Sequence, residues 1–325
     1  MCYKDEVQRE SIEKLEEKLV NVPEFIQNYF TFLNSAKSKV VYWSNIRSFL
    51  EWLIEQKVIK NTVEYIVVDD LKNVNDIHIV KYLDGRLAGM YGEKISLNTA
   101  NNKMNYIRGF WSYLLENDYV PKNIATKRVA NKYKVKIDKE VEVPTDEEVE
   151  QFLSNLESIK SEIIAVRNIA IVKLFMGSGI RIEELVGLDI NDLHLDGNEP
   201  YISIMRKGEQ HTKKDLDISQ SAVEAINDYL KIRNLNSELK DMEPLFLSER
   251  KDRLAQNSIQ KFFETYSNGM IHPHMLRHYA GTKMYESNHD IVGVSEQLGH
   301  GDINTTKKYY VKSDKSSIRA ALNSI

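Results

Sequence analysis

The feature that most limits how this chain can fold is a helical rhythm of apolar residues. Between Ser35 and Gln56, Ile46, Phe49, Leu50 and Leu53 recur at i, i+3, i+4 and i+7, one face of a 3.6-residue helix. Between Asn98 and Asn117, Met104, Ile107, Trp111 and Leu114 fall on one face in the same way, and Asn117-Asp118 with Pro121 closes the segment. Apolar stripes of this kind are buried by packing helix on helix. Further helices are expected over Ser11–Leu19, Pro23–Leu33 and Asp76–Leu87, the last closed near Gly92. Residues 1–135 therefore read as a small helical bundle with an aromatic core.

The rhythm lapses in a polar, charged stretch that starts at Lys132, and residues 136–143 are the expected linker. A second domain is expected over 144–325. It opens with Pro144-Thr145-Asp-Glu-Glu148, a capping box with Thr145 as N-cap and Glu148 at N3. Ile163–Met176 is apolar enough for a buried helix, stopped by Gly177 and Gly179. Tyr201–Met205 alternates as a strand does, and Asp215–Ile218 can return as its antiparallel partner. Helices follow over Ser219–Arg233, Ser258–Tyr266, His274–Glu286 and Ile291–Leu298. The expected class is mainly α, with one small antiparallel β-hairpin in the second domain.

Composition narrows the classes of function. With 42% hydrophobic and 28% charged residues, the profile is that of a soluble globular protein. No apolar run approaches the ~18 residues of a membrane span, and the first residues lack an apolar signal core. Cys2 is the single cysteine, so no intrachain disulfide can form, and a cytoplasmic setting is expected. The net charge of −4 argues against a uniformly basic nucleic-acid binder. Charge distribution matters more than the sum. From Asn101 to Glu140, nine basic residues, among them Lys103, Arg108, Lys132, Lys134 and Lys136, face four acidic ones. This stretch is a candidate phosphate-contacting strap.

The chemistry-bearing residues lie in three separated motifs: Gly177-Ser-Gly-Ile-Arg-Ile-Glu-Glu-Leu185, His274-Met-Leu-Arg-His278, and Leu298-Gly-His-Gly-Asp-Ile-Asn-Thr-Thr-Lys-Lys-Tyr309. Cutting a phosphodiester with a protein nucleophile has four requirements: deprotonating the nucleophile, stabilising charge on the non-bridging oxygens, protonating the leaving alkoxide and holding the phosphate for in-line attack. Arginine forks bind phosphate bidentately and stay charged at any working pH. Histidine moves protons near neutrality, and a tyrosine ester stores the bond energy for rejoining. Singly these residues mean little, since the chain has 17 tyrosines and most arginines lie at surfaces. His274 and His278, at i and i+4, have a metal-ligand spacing, but no suitably placed Cys or Glu accompanies them, and no metal or other cofactor is expected.

The joint pattern resembles the tyrosine recombinases, the phage-integrase and Xer group of site-specific DNA recombinases. Its order and spacing run from about Pro144 to Val311, and Thr99–Pro121 resembles part of the family's SAM-like core-binding domain. The resemblance implies that Arg181 and Arg277 grip the scissile phosphate and that Glu184 orients the site. It makes Lys207 the general acid for the 5'-hydroxyl, His274 a proton-transfer aid, His300 a partner of a non-bridging oxygen, and Tyr309 the nucleophile. Two departures stand out. Tyr310 follows Tyr309, although the nine-residue spacing from His300 favours Tyr309. The family's usual Gly-Lys-Gly is Arg206-Lys207-Gly208 here, with Lys213 and Lys214 as competitors for the acid.

The implied partners are double-stranded DNA with paired half-sites, a homotetramer on synapsed DNA and accessory DNA-bending proteins, with no membrane. The tail from Lys312 to Ile325, with Ile318, Ala321 and Leu322 on one face, either passes to a neighbouring subunit, as the resemblance implies, or packs on its own domain. Few residues precede the first helix, which favours a two-domain enzyme over one with an added arm-binding domain. Integration or excision of a mobile element is the expected task, with Xer-type chromosome or plasmid dimer resolution as the alternative, in a prokaryotic nucleoid. A type IB topoisomerase shares the arginines, histidine and tyrosine, but the spacing is that of the recombinases. A non-cleaving DNA-binding regulator is disfavoured because every catalytic residue type is present. DNA affinity should fall steeply between low and physiological salt despite the acidic total charge. A flat salt response in a filter-binding titration contradicts an extensive phosphate clamp.

Overall fold

A computed structural model describes residues 3–135, 142–206, 212–233, 243–299 and Thr306. The chain divides into two compact units, Met1–Asp138 and Lys139–Ile325.

The first unit is helical: α1 (Tyr3–Leu19), α2 (Glu24–Gln27), α3 (Ala36–Glu55), α4 (Val68–Lys72), α5 (Asp76–Ala88), α6 (Leu97–Glu116) and α7 (Lys127–Lys132). Polar N-caps fix where the long helices start. The Ser35 side chain accepts from the Ser38 N–H at 3.4 Å and Ser96 from Thr99 at 3.1 Å. The apolar stripes meet as the sequence suggests. Ile46, Phe49, Leu50 and Leu53 of α3 and Met104, Ile107, Trp111 and Leu114 of α6 lie in one buried cluster. Phe49 sits at its centre, with ring centroids 5.2 Å from Tyr82 and 5.7 Å from Trp111.

Three expectations shift. The first helix starts at Tyr3 rather than Ser11. Pro23–Leu33 is not one helix, because α2 gives way to a 3-10 turn at Asn28–Phe32 that carries Tyr29 and Phe30 into the core. Helix α5 ends at Gly89, whose φ of 75° stops it before Gly92 is reached.

The second unit comprises α8 (Asp146–Glu157), α9 (Glu162–Ser178), α10 (Ile182–Val186), β1 (Leu193–His194), β2 (Tyr201–Ile204), β3 (Lys214–Asp217), α11 (Gln220–Ile232), α12 (Gln256–Tyr266), α13 (Pro273–Asn288) and α14 (Ile291–Leu298). Thr145 and Glu148 form the reciprocal cap of α8, at 3.2 Å and 2.8 Å. Helix α9 is buried along most of its length and packs against α8, α11 and α13. The strands form an antiparallel sheet in the order β1-β2-β3, with Ile202 opposite Leu216 and Ile204 opposite Lys214. Strand β1 was not expected, since two residues are too short to show alternation. The mainly helical class with a small antiparallel sheet is therefore the observed one.

All three tryptophans, Trp43, Trp52 and Trp111, belong to the first unit, so their fluorescence reports its unfolding separately. Phe49→Ala should destabilise that transition by about 3–5 kcal/mol, the loss typical of a buried phenyl ring. An unchanged midpoint in urea would contradict the core assignment.

Candidate active site

The Gly177-Ser178-Gly179 turn begins the site. Gly177 lies against α11, where an added Cβ would come within 2.2 Å of Ser219 Oγ. Ser178 is buried, and its hydroxyl donates to the Leu174 carbonyl at 2.6 Å. Gly179, at φ 69°, ends α9 in the left-handed region that glycine adopts without a Cβ penalty. Of the two glycines expected to stop the helix, Gly179 is its C-cap and Gly177 lies in its last turn. The chain then turns into Arg181, the N-cap of α10.

Arg181 and Glu184 hold each other. The Arg181 backbone N–H donates to Glu184 Oε2, and its Nη1 to Glu184 Oε1, both at 2.9 Å. The Glu184 side chain is 5% exposed and that of Arg181 is 32% exposed, so the guanidinium is fixed at one end yet reaches solvent.

Arg277 comes from α13, whose first turn has Pro273 at its start and His272 as N-cap. Its guanidinium is buried, donating through Nη1 to the Gly179 carbonyl and through Nη2 to the Leu298 carbonyl. Arg181 Nη2 donates to the Gly299 carbonyl at 2.8 Å. Both arginines are therefore gathered at the C-terminal end of α14. The last carbonyls of a helix lack intrahelical partners and carry its partial negative charge. That end is a ready acceptor for guanidinium groups.

A third arginine arrives at the same place, and sequence reasoning passed over it. Arg206 donates to the Glu296 and Gln297 carbonyls at 2.9 and 2.8 Å. Its only signal was a charged residue where the family pattern usually has glycine.

His274 stands one turn before Arg277 on the same helix. Its pKa is lowered by burial first, and then by the positive charges of Arg277, a protonated His272 and Arg181. It is a neutral imidazole at neutral pH, able to accept or relay a proton. A cavity of ≈ 460 Å³ lined by His272, His274, Ile182 and Gln260 opens beside it. The His278 ring lies 4.5 Å from that of His274, nearly perpendicular, and is buried in the fold. Among the described residues, no three His, Cys, Asp or Glu side chains converge as metal ligands.

The other expected residues are placed as follows. Lys213 pairs with the buried Asp192. Lys214 is the first residue of β3. Of the candidate DNA-binding residues, Lys103 and Arg108 lie on α6 and Lys132 ends α7, so this part of the presumed strap is helical. Lys103 is half-buried and donates to Asn45 at 2.8 Å, and Lys132 pairs with Asp84. Arg108 and Lys134 are exposed. Lys207, His300, Tyr309, Lys136 and the tail from Lys312 to Ile325 lie outside the described residues.

Comparison with known proteins gives the family and the fold. The phage integrase family model matches residues 142–316. Tyrosine recombinase XerC of Salmonella typhi is 34% identical over 212 residues, 64% of this chain and 67% of the relative. XerC of Psychromonas ingrahamii is 29% identical over 259 residues, covering 77% and 82%. The fold resembles XerH recombinase bound to its difH substrate before cleavage, with a TM-score of 0.65, 24% identity, and 89% and 79% of the two chains covered. It also resembles the Tn1549 transposon integrase in complex with circular intermediate DNA, with a TM-score of 0.69, 17% identity, and 92% and 98% covered. The chain belongs to the phage integrase family and is a tyrosine site-specific recombinase. Among the described residues no helix is long and apolar enough to cross a membrane.

The state of His274 can be measured. In an NMR titration its imidazole should protonate below the ordinary histidine value of about 6.5. Arg277→Ala should raise that midpoint only in part, since burial is the larger cause. Because folding lowers this pKa, the stability linked to His274 is complete above about pH 6.5 and is lost as pH falls towards the folded value. A midpoint at or above 6.5 in the wild type would contradict the buried, cation-flanked placement.

Proposed function

We propose that this recombinase cuts and rejoins DNA through a 3'-phosphotyrosyl intermediate. The observation that carries the reading is the gathering of Arg181 and Arg277 at one helix end beside a neutral His274. Two preorganised guanidinium groups can stabilise the charge that builds on the non-bridging oxygens, the task a divalent metal performs elsewhere. Glu184 orients Arg181 without quenching it, because the fork retains donors beyond the one spent on the carboxylate. In this reading His274 aids proton transfer, Lys207 protonates the 5'-oxygen, His300 donates to a non-bridging oxygen, and Tyr309 attacks. Neither ATP nor a metal is required, since the tyrosyl ester conserves the bond energy.

Strand exchange needs two duplexes, so the active form is a homotetramer on paired half-sites, with the first unit as the core-binding domain and residues 144–325 as the catalytic domain. Arg108, Lys132 and Lys134 are the exposed candidates for phosphate contact among the described residues of the first unit, with Lys132 paired to Asp84. For the biological task we favour movement of a mobile element. The 34% identity to XerC of Salmonella typhi favours the second reading, Xer-type dimer resolution.

One experiment separates these readings. Wild type, Tyr309→Phe and Tyr310→Phe are incubated in EDTA with nicked duplexes tiled from the encoding locus, and covalent adducts are captured and sequenced. Adducts should persist in EDTA, vanish with Tyr309→Phe and survive Tyr310→Phe. Captured sites at the ends of an element support mobilisation, whereas one chromosomal site supports dimer resolution. Adducts in Tyr309→Phe would move the nucleophile, and intact binding without adducts in any version would contradict cleavage. Arg277→Ala should lose roughly 3 kcal/mol or more of transition-state stabilisation in single-turnover cleavage. Wild-type rates in that variant would contradict the phosphate clamp.

A further inference from the structure

We infer that Arg206 is a positioning residue that fastens the chain just past β2 to the C-terminal end of α14. It thereby sets the two chain segments that continue directly into Lys207 and His300. This rests on the catalytic reading above, which gives those two residues their roles.

Three observations converge. First, Arg206 stands two residues past the end of β2, yet its two terminal nitrogens reach carbonyls some 90 residues away, at Glu296 and Gln297. Second, its guanidinium lies directly against Gly299. A Cβ built on that glycine would sit 2.1 Å from Arg206 Nη1 and 2.7 Å from its Cζ, and Gly299 also has a φ of 60°. The backbone conformation favours glycine there, and an added Cβ would also make the end of the Arg206 side chain shift. Third, the other strand of the hairpin is tied to the same turn. Gln297 Nε2 donates to the carbonyl of Asp217, the last residue of β3, at 2.7 Å, and to that of Ser178 at 3.2 Å. Both strands are thus fastened to one helix end, β2 through Arg206 and β3 through Gln297.

The chemistry explains why arginine suits the position. Two carbonyls on successive residues present two acceptors to one planar fork, which a lysine ammonium cannot match in geometry. A glycine there, as in the family's usual pattern, provides no such tether. A general acid works only when held within hydrogen-bond reach of the leaving oxygen. A tether on the residue immediately before it acts on placement, not on binding of DNA.

Two measurements on the full chain test this. In hydrogen exchange without DNA, Arg206→Ala should raise exchange in peptides covering 201–206 and 295–299 by roughly tenfold, leaving α9 and the first unit unchanged. Wild-type exchange in both peptides would overturn the docking role, and faster exchange throughout the second unit would overturn a local one. The second measurement compares cleavage of the captured duplex carrying either its natural 5'-oxygen or a 5'-bridging sulfur, which leaves without needing a proton. Arg206→Ala should bind DNA normally, cut the oxygen substrate roughly 10–100-fold more slowly and recover most of that loss on the sulfur substrate. Arg206→Lys should fall between. An equal deficit on both substrates would mark Arg206 as structural and overturn positioning of the acid. Lys207→Ala serves as the control. If sulfur fails to rescue it, the general-acid assignment of Lys207 fails, while the exchange result still decides whether Arg206 docks the hairpin.

Discussion

The carbonyls at the C-terminal end of α14 hold this site together. Glu296, Gln297, Leu298 and Gly299 offer successive acceptors, and Arg206, Arg277 and Arg181 take them. Three guanidinium groups at one place repel one another and lose hydration, a cost that proteins meet with charge-assisted hydrogen bonds. The helix end supplies those bonds and its partial negative charge together. It also draws on three different parts of the chain, the α9–α10 turn, the β-hairpin and α13. A short helix of eight residues becomes the point on which the second unit's chemistry converges.

The glycines at either side of that point follow from the same crowding. Gly179 and Gly299 both have positive φ, and each is covered by a side chain from elsewhere in the site. A Cβ on Gly179 would sit 2.4 Å from Leu298 Cδ2, and one on Gly299 would meet Arg206. Leu298 therefore packs over one glycine while its carbonyl holds Arg277. Apolar packing and arginine placement are coupled through a single residue, so a change in one carries into the other.

Much of this was legible in the sequence, and the reasons are local. The Thr145–Glu148 cap, the stripes of α3 and α6, and the β2–β3 pairing are set by neighbours within a few residues, where period and capping are strong signals. The three motifs pointed to the family because their joint spacing is specific. Convergence on α14 was not legible. A helix end announces its free carbonyls but not which distant donors take them, and Arg206 looked like a departure from a pattern. The basic residues of 101–140 show the same limit of a local reading. Charge counting cannot see that Lys132 is paired with Asp84 or that Lys103 is held by Asn45.

The central claim is that the end of α14 organises the three arginines, and their side-chain N–H signals report this directly. In a full chain labelled with ¹⁵N-arginine, the guanidinium resonances of Arg181, Arg206 and Arg277 should be resolved and slow to exchange with water. Gly299→Ala, which forces Arg206 off the helix end and shifts the carbonyl that Arg181 uses, should broaden or collapse the Arg206 and Arg181 signals towards those of a free arginine. Signals that already exchange freely in the wild type, or that ignore Gly299→Ala, would contradict the account.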